Sequence, residues 1–272
     1  MLTRITSMGK TKTKLQRGEP ALGGWVMIGH PTVVELYANE GFDWVCLDRE
    51  HTSMDLRSMH ECTLAAKGTG VDLLVRLPSH EPGPAKHALD AGAAGIIVPN
   101  VTTSEQAKQV VAMAKYPPEG TRGASLARCT EFGRNFEEHF ARHNDQVIVV
   151  IMLEHVDALK NLDEILSVPG IDATLIGPYD LSSSLGLPGK LSHPRVVSAQ
   201  DEIFAACQRH RVPAGYHVVK PDANLLRQKI DEGFRFLGCS LDTEFILHGA
   251  RQMLALQAET IPLETRKLKI SQ

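Results

Sequence analysis

In the stretch FDWVCLDREHTSMD, the apolar run Trp44–Leu47 leads directly into Asp48, Arg49, Glu50 and His51. Four consecutive ionisable residues behind a strand-like segment can form a solvated turn, or they can begin a proton-transfer site. His51 stands three residues after Asp48, a spacing at which a carboxylate can orient an imidazole and raise its basicity, as a general base requires. Arg76, in LLVRLP, lies between two apolar residues, where a guanidinium must find an anion or bear a heavy desolvation cost. Glu154 follows the apolar run VIVVIML, and Asp180 follows IGPY. Two carboxylates with no third protein ligand suit a hard divalent ion that keeps water or substrate oxygens, such as Mg2+ or Mn2+. Taken singly, each has a plainer reading. Glu154 and Asp180 can cap the helices that follow them, Arg76 can sit in a structural ion pair, and His51 can be solvated. Their recurrence at successive strand ends favours a site.

Those residues need elements to position them. Short β-branched runs predict strands over Leu22–Ile28, Trp44–Asp48, Leu73–Leu77, Ile96–Pro99, Val147–Glu154, Ala173–Gly177, Ala214–Val218 and Phe236–Ser240. Helical periodicity predicts helices between them, over Thr32–Glu40, Asp55–Lys67, Pro84–Ala91, Ser104–Lys115, Val156–Leu166, Pro194–Arg209, Asp222–Asp231 and Thr243–Gln257. Strands as uniformly apolar as VIVVIML are those of a parallel sheet covered on both faces. Eight strand–helix units in a chain of 272 residues match a (β/α)8 barrel, whose functional groups gather at the C-terminal ends of the strands. The alternative, a doubly wound open sheet, would usually carry a Gly-rich nucleotide turn after its first strand. Here that strand ends in VMIGHPT. LGLPGKLS has the wrong spacing for a phosphate loop and is a plain turn. Tyr116–Asp145 is expected to be a long irregular connection. The chain reads as one domain over residues 1–272, with 1–14 a flexible extension; its basic start, MLTRITSMGKTKTKLQRG, reads as a ragged first helix sooner than as a transit peptide.

Composition excludes several classes. The formal net charge of −3 gives no footprint for nucleic acid, and no apolar run approaches the length of a membrane span. Five cysteines without a C-x-x-C pair indicate a reduced, cytoplasmic protein. His60, His87, His139, His143, His193, His210 and His248 lie on helical or polar stretches and are expected at the surface. Lys220, just past the seventh strand, is the lysine best placed for a Schiff base, although it also simply opens a helix.

The segments GFDWVCLDREH, LLVRLP, DAGAAGIIVPNV, YPPEGTRGAS, NLDEILSVPGIDATLIGPYDLSSSLG and PAGYHV together resemble the HpcH/HpaI family of class II, metal-dependent 2-oxo acid aldolases. This family includes 2,4-dihydroxyhept-2-ene-1,7-dioate and 2-keto-3-deoxy sugar acid aldolases. The resemblance spans roughly Leu15 to Leu254. It implies a TIM barrel of the phosphoenolpyruvate/pyruvate-binding type, a divalent ion (Mg2+, Mn2+ or Co2+) and a small 2-oxo acid and aldehyde as substrates. It further implies a homo-oligomer, a hexamer built as a trimer of dimers, with the last helix exchanged between subunits. By resemblance Glu154 and Asp180 are the metal ligands, Arg76 lies near the pyruvate or enolate oxygen, and His51 is the base with Asp48 as its partner. Gly177, Pro178, Tyr179, Gly123 and Tyr216 would line the substrate. Asp90, a surface residue by its own sequence context, would act across a subunit interface. The chain departs from the family at Arg49, His155, Tyr179 and the pair Tyr216–His217, all expected near the mouth where the aldehyde half binds. The rival enzymes are an oxaloacetate decarboxylase and a CoA-thioester lyase. A non-catalytic oxo-acid or metal-binding barrel would have lost His51, Arg76, Glu154 or Asp180, and all four are present.

Overall fold

The structure, a computed structural model, describes residues 9–260. Eight strands form one parallel sheet: β1 (Ala21–Val26), β2 (Trp44–Asp48), β3 (Asp72–Arg76), β4 (Gly95–Val98), β5 (Ile148–Met152), β6 (Ala173–Leu175), β7 (Gly215–Val218) and β8 (Phe236–Leu241). Their order, β6-β5-β4-β3-β2-β1-β8-β7, follows the chain around a circle. A parallel bridge between Ile176 and Tyr216 joins the two ends. The closed (β/α)8 barrel therefore replaces the open-sheet alternative.

Side-chain alternation divides the core in two. Trp25, Trp44, Cys46, Leu74, Ile97, Val150, Met152, Leu175 and Phe236 fill the barrel, whereas Val45, Leu47, Val75, Ile96, Val149 and Ile151 pack outward against the helices. Both strand faces are buried, which explains why the strands read as apolar throughout.

Each expected helix is present with its ends within three residues, except that Val156–Leu166 is two short helices, Val156–Leu159 and Leu162–Leu166. Two expectations are corrected. Residues 10–14 belong to a helix, Lys10–Gln16, that plugs the barrel's base. Lys12 Nζ there reaches Asp172 at 3.0 Å and the Val147 carbonyl at 2.8 Å, while Lys10 and Lys14 each pair with Asp43 at 2.7 Å. Met1–Met8 of the expected extension lie outside the described residues. The expected irregular stretch contains a second helix, Phe136–Gln146, which buries only His143 and is strongly polar overall, so it does not read as a core-facing element. A seven-residue helix, Pro178–Ser184, also follows β6.

Cys46, Cys62 and Cys207 are buried free thiols, and Cys129 and Cys239 are half-buried. Among the described residues no helix is long and apolar enough to cross a membrane. The last helix, Asp242–Thr260, leaves Phe245, Ile246, Leu247, Met253 and Leu254 largely uncovered.

Candidate active site

Asp48 and Arg76 end β2 and β3 in register with one another, facing the barrel interior. Arg76 is 7% exposed and Asp48 is fully buried. The guanidinium forks onto the carboxylate, with Nε 3.1 Å from Oδ1 and Nη2 bonded to Oδ2. Trp25 Nε1 donates to Oδ2 at 3.2 Å, and the backbone N–H groups of Glu50 and His51 donate to Oδ1 at 2.9 and 3.1 Å. Burial raises the Asp48 pKa, but the Arg76 pairing and these donors outweigh it and hold it below the usual carboxylate range. Asp48 thus fixes Arg76 and folds the DREH turn. It does not bond the His51 ring, contrary to the expected base-and-orienter pair. The carboxylate nearest that ring is Glu50, whose Oε2 lies 3.7 Å from His51 Nε2 and 3.0 Å from Arg76 Nη1. Burial pushes the Glu50 pKa up against the pull of Arg76 and His51. His51 itself projects into solvent, its side chain 54% exposed.

Glu154 lies two residues beyond β5 and is 2% exposed. Its Oε1 accepts from the Asn100 backbone N–H at 3.0 Å, which Asn100 presents from a left-handed conformation (φ 55°) that asparagine tolerates better than most residues. Its Oε2 is buried without a hydrogen-bond partner. Gly177, the residue before helix Pro178–Ser184, permits this placement: a Cβ there would fall 2.2 Å from Glu154 Oε2. Burial, and after it the negative charge of Asp180 in the first turn of that helix, push the Glu154 pKa up to about 8. Pro178 is buried beside the site, and Tyr179 is exposed at its edge.

A buried carboxylate oxygen with no donor, next to a second carboxylate, is the environment a cation would neutralise. Among the described residues no three His, Cys, Asp or Glu side chains cluster as a complete metal cage. The pair therefore matches an ion that completes its shell with water or substrate oxygens.

Not every expected residue joins the site. Tyr216 is only 5% exposed, but it faces away from the barrel, ring to ring with Phe234 and 4.8 Å from Lys229 Nζ. Strand alternation puts its neighbour inside: His217 stacks on Trp25 at 4.6 Å. Asp90 ends the helix before β4, at the opposite end of the barrel, where Arg122 Nη2 binds it at 2.9 Å. Gly123 follows that arginine, so neither residue reaches Glu154 within one chain. His143, expected at the surface, is buried at the same end, with Nε2 2.8 Å from Arg122 Nη1 and 2.9 Å from the Ala114 carbonyl. Burial, aided by the Arg122 charge, pushes its pKa down to about 3. Arg49 is half-buried and folds back, with Nε 3.4 Å from the Met54 carbonyl. Lys220 is exposed, without the apolar surroundings that activate a Schiff-base lysine. Sequence reading placed His217 near the mouth only as one of a pair with Tyr216, and it missed Asn100 and Trp25 as groups around the site. Counting alternate residues back from Asp48 and Arg76 through the strand register would have found Trp25 and singled out His217.

A family model described as HpcH/HpaI aldolase/citrate lyase matches residues 22–249. The chain belongs to that family. It is 33% identical over 246 residues to a 5-keto-4-deoxy-D-glucarate aldolase of Klebsiella pneumoniae, covering 90% of this chain and 95% of that one. It is 34% identical over 257 residues to a 4-hydroxy-2-oxovalerate aldolase of Novosphingobium aromaticivorans, covering 94% and 97%. A crystal structure of an HpcH/HpaI aldolase/citrate lyase family protein from Burkholderia cenocepacia superposes with a TM-score of 0.86 at 31% identity, covering 91% of this chain and 98% of that one. These named aldolases are carbon–carbon lyases, and the fold, the family and the strand-end site agree with that chemistry.

Proposed function

We propose that this protein catalyses the reversible aldol cleavage of a 4-hydroxy-2-oxo acid to pyruvate and an aldehyde, with a divalent ion held by Glu154 and Asp180. The observation that carries the metal reading is the buried, unpartnered Glu154 Oε2 beside Asp180. When bound, Mg2+, Mn2+ or Co2+ supplies Lewis acidity to the C1 carboxylate and C2 carbonyl of the oxo acid.

The remaining work falls to the chain itself. Arg76, locked by Asp48 and not free to swing, presents fixed positive charge to the oxygen that becomes anionic as the C3–C4 bond breaks. A pre-oriented donor in a dry site is worth several kcal/mol. His51, exposed at the mouth, takes the C4 hydroxyl proton during cleavage and returns it during synthesis. The closeness of Glu50 to its ring supports Glu50, in place of Asp48, as the carboxylate that steadies the imidazolium. Gly177, Pro178 and Tyr179 form the rim against which the substrate lies.

Asp90 and Gly123 sit at the barrel's other end, so a part in substrate binding requires a neighbouring subunit's site. The uncovered apolar residues of helix Asp242–Thr260 support an assembly in which that helix is exchanged between subunits of a hexamer. Sedimentation of the full chain tests this, and a monomer would exclude it.

The test of function is a panel of aldehydes with pyruvate and Mg2+, Mn2+ or Co2+, with EDTA as control. Metal-dependent aldol product that is lost with Glu154→Ala is the expected result. Activity that persists in EDTA would overturn the metal assignment. Pyruvate release from oxaloacetate, with no aldehyde accepted, would favour decarboxylation.

A further inference from the structure

His217 is an unusual filling for the barrel interior. It is buried on β7 beside Gly238, where a Cβ would come 2.7 Å from its ring. Among the described residues the one polar contact of its ring is a long one, Nε2 to the Ser240 carbonyl at 3.5 Å. Burial pushes its pKa down to about 4, so the ring is neutral. A satisfied core histidine normally gains a well-formed hydrogen bond, and this one gains little. What it does supply is a flat face. The ring lies on the Trp25 indole with centroids 4.6 Å apart and planes at 26°, within the range of a favourable offset stack.

Trp25 touches both halves of the Asp48–Arg76 pair. Its Nε1 donates to Asp48 Oδ2 at 3.2 Å, and Arg76 Cζ lies 4.9 Å from its ring centroid. A tilt of the indole would therefore disturb the carboxylate that aims Arg76 and the ring that carries the guanidinium together. Trp44, packed edge-on at 6.4 Å, braces Trp25 as well. We propose that His217 is a positioning residue for the aldol reaction, holding Trp25 flat so that Asp48 and Arg76 keep their place at the mouth. The inference rests on the reading of Arg76 as the group that stabilises the enolate.

The test uses exchange of the pyruvate methyl protons for deuterium, followed by mass spectrometry with the full chain and Mg2+. This reports enolate formation without any aldehyde. His217→Leu removes the flat ring and is expected to slow saturated exchange about tenfold while KM for pyruvate changes little. His217→Phe restores the ring and is expected to recover most of the rate. In an Arg76→Lys background, which is itself slow, His217→Leu should cause no further loss. If His217→Leu does not fold, His217→Met, which fills the space but has no flat ring, takes its place with the same expectations. A wild-type rate for His217→Leu, a Phe variant as slow as Leu, or a full additional loss on Arg76→Lys would overturn the proposal. A wild-type rate for Arg76→Lys would instead overturn the assignment of Arg76, and this inference with it.

Discussion

Glu154 is charged only at a cost while its Oε2 lacks a partner. Its pKa in the folded chain, about 8, exceeds the ordinary value of 4.5, so between those limits the folded state holds a proton that the unfolded state has released. Folding stability in EDTA should therefore fall as pH rises from 4.5 to 8, by at most about 1.4 kcal/mol per unit from this group. Chemical denaturation across that window checks it. Glu154→Gln should remove this part of the slope, and saturating Mg2+ should do the same by neutralising the carboxylate. An unchanged slope in both cases would contradict the two-carboxylate site. Arg76→Ala leaves Asp48 buried with no counter-charge, and such half-broken pairs cost about 3–5 kcal/mol. The variant should thus lose both enolate formation and thermal stability, read by proton exchange and by calorimetry. His51→Ala should behave differently. Exposed and bonded through its backbone, it should lose aldol cleavage while its melting temperature stays within a few degrees of the parent's.

At the scale of elements, the strands were legible because burial on both faces writes them as unbroken apolar runs, and WVCLD matches β2 residue for residue. The helices at Lys10–Gln16 and Phe136–Gln146 were hard to bound because both are largely polar. The first is held by charged side chains reaching under the barrel, and the second buries a single histidine. The site was half legible. Residue type and strand-end position found Asp48, Arg76, Glu154 and Asp180, but the partner of each depends on three-dimensional packing. Tyr216 shows why: one residue along a strand reverses the face, and PAGYHV gives no sign which of Tyr216 and His217 points inward. The plug helix carries its own prediction. Lys12→Met strips Asp172 of its cation under the barrel and should destabilise the fold by about 3 kcal/mol in urea. Lys12→Met with Asp172→Asn should recover much of that loss, because a buried pair removed whole costs less than one removed by halves.

For the molecule as a whole, three buried groups set opposing slopes. His143 and His217, held neutral with pKa values of about 3 and about 4 against an ordinary 6.5, gain protons first in the unfolded chain. Their contribution is complete above 6.5 and is lost as pH falls toward those values. Glu154 acts in the other direction from 4.5 upward. The balance of these three contributions turns over near pH 6.5 in the metal-free protein. A bound ion removes the alkaline arm and should move that turnover upward. Thermal unfolding across pH, with and without EDTA, measures both limbs.

The joint between β6 and β7 has a consequence of its own. Seven neighbours in the sheet share full ladders, but this pair meets through three backbone bonds, Thr174 N to the Pro213 carbonyl, Ile176 N to the Gly215 carbonyl and His217 N to the Ile176 carbonyl. It is the zipper of the cylinder. Were it to part, a structure that has no raw edge would acquire two, one of them the apolar strand Ala173–Leu175, and unpaired apolar edges recruit other chains. Glu154 follows β5 and Asp180 follows β6, so an ion shared by them would tie β5 to β6 and leave this joint to its three backbone bonds alone.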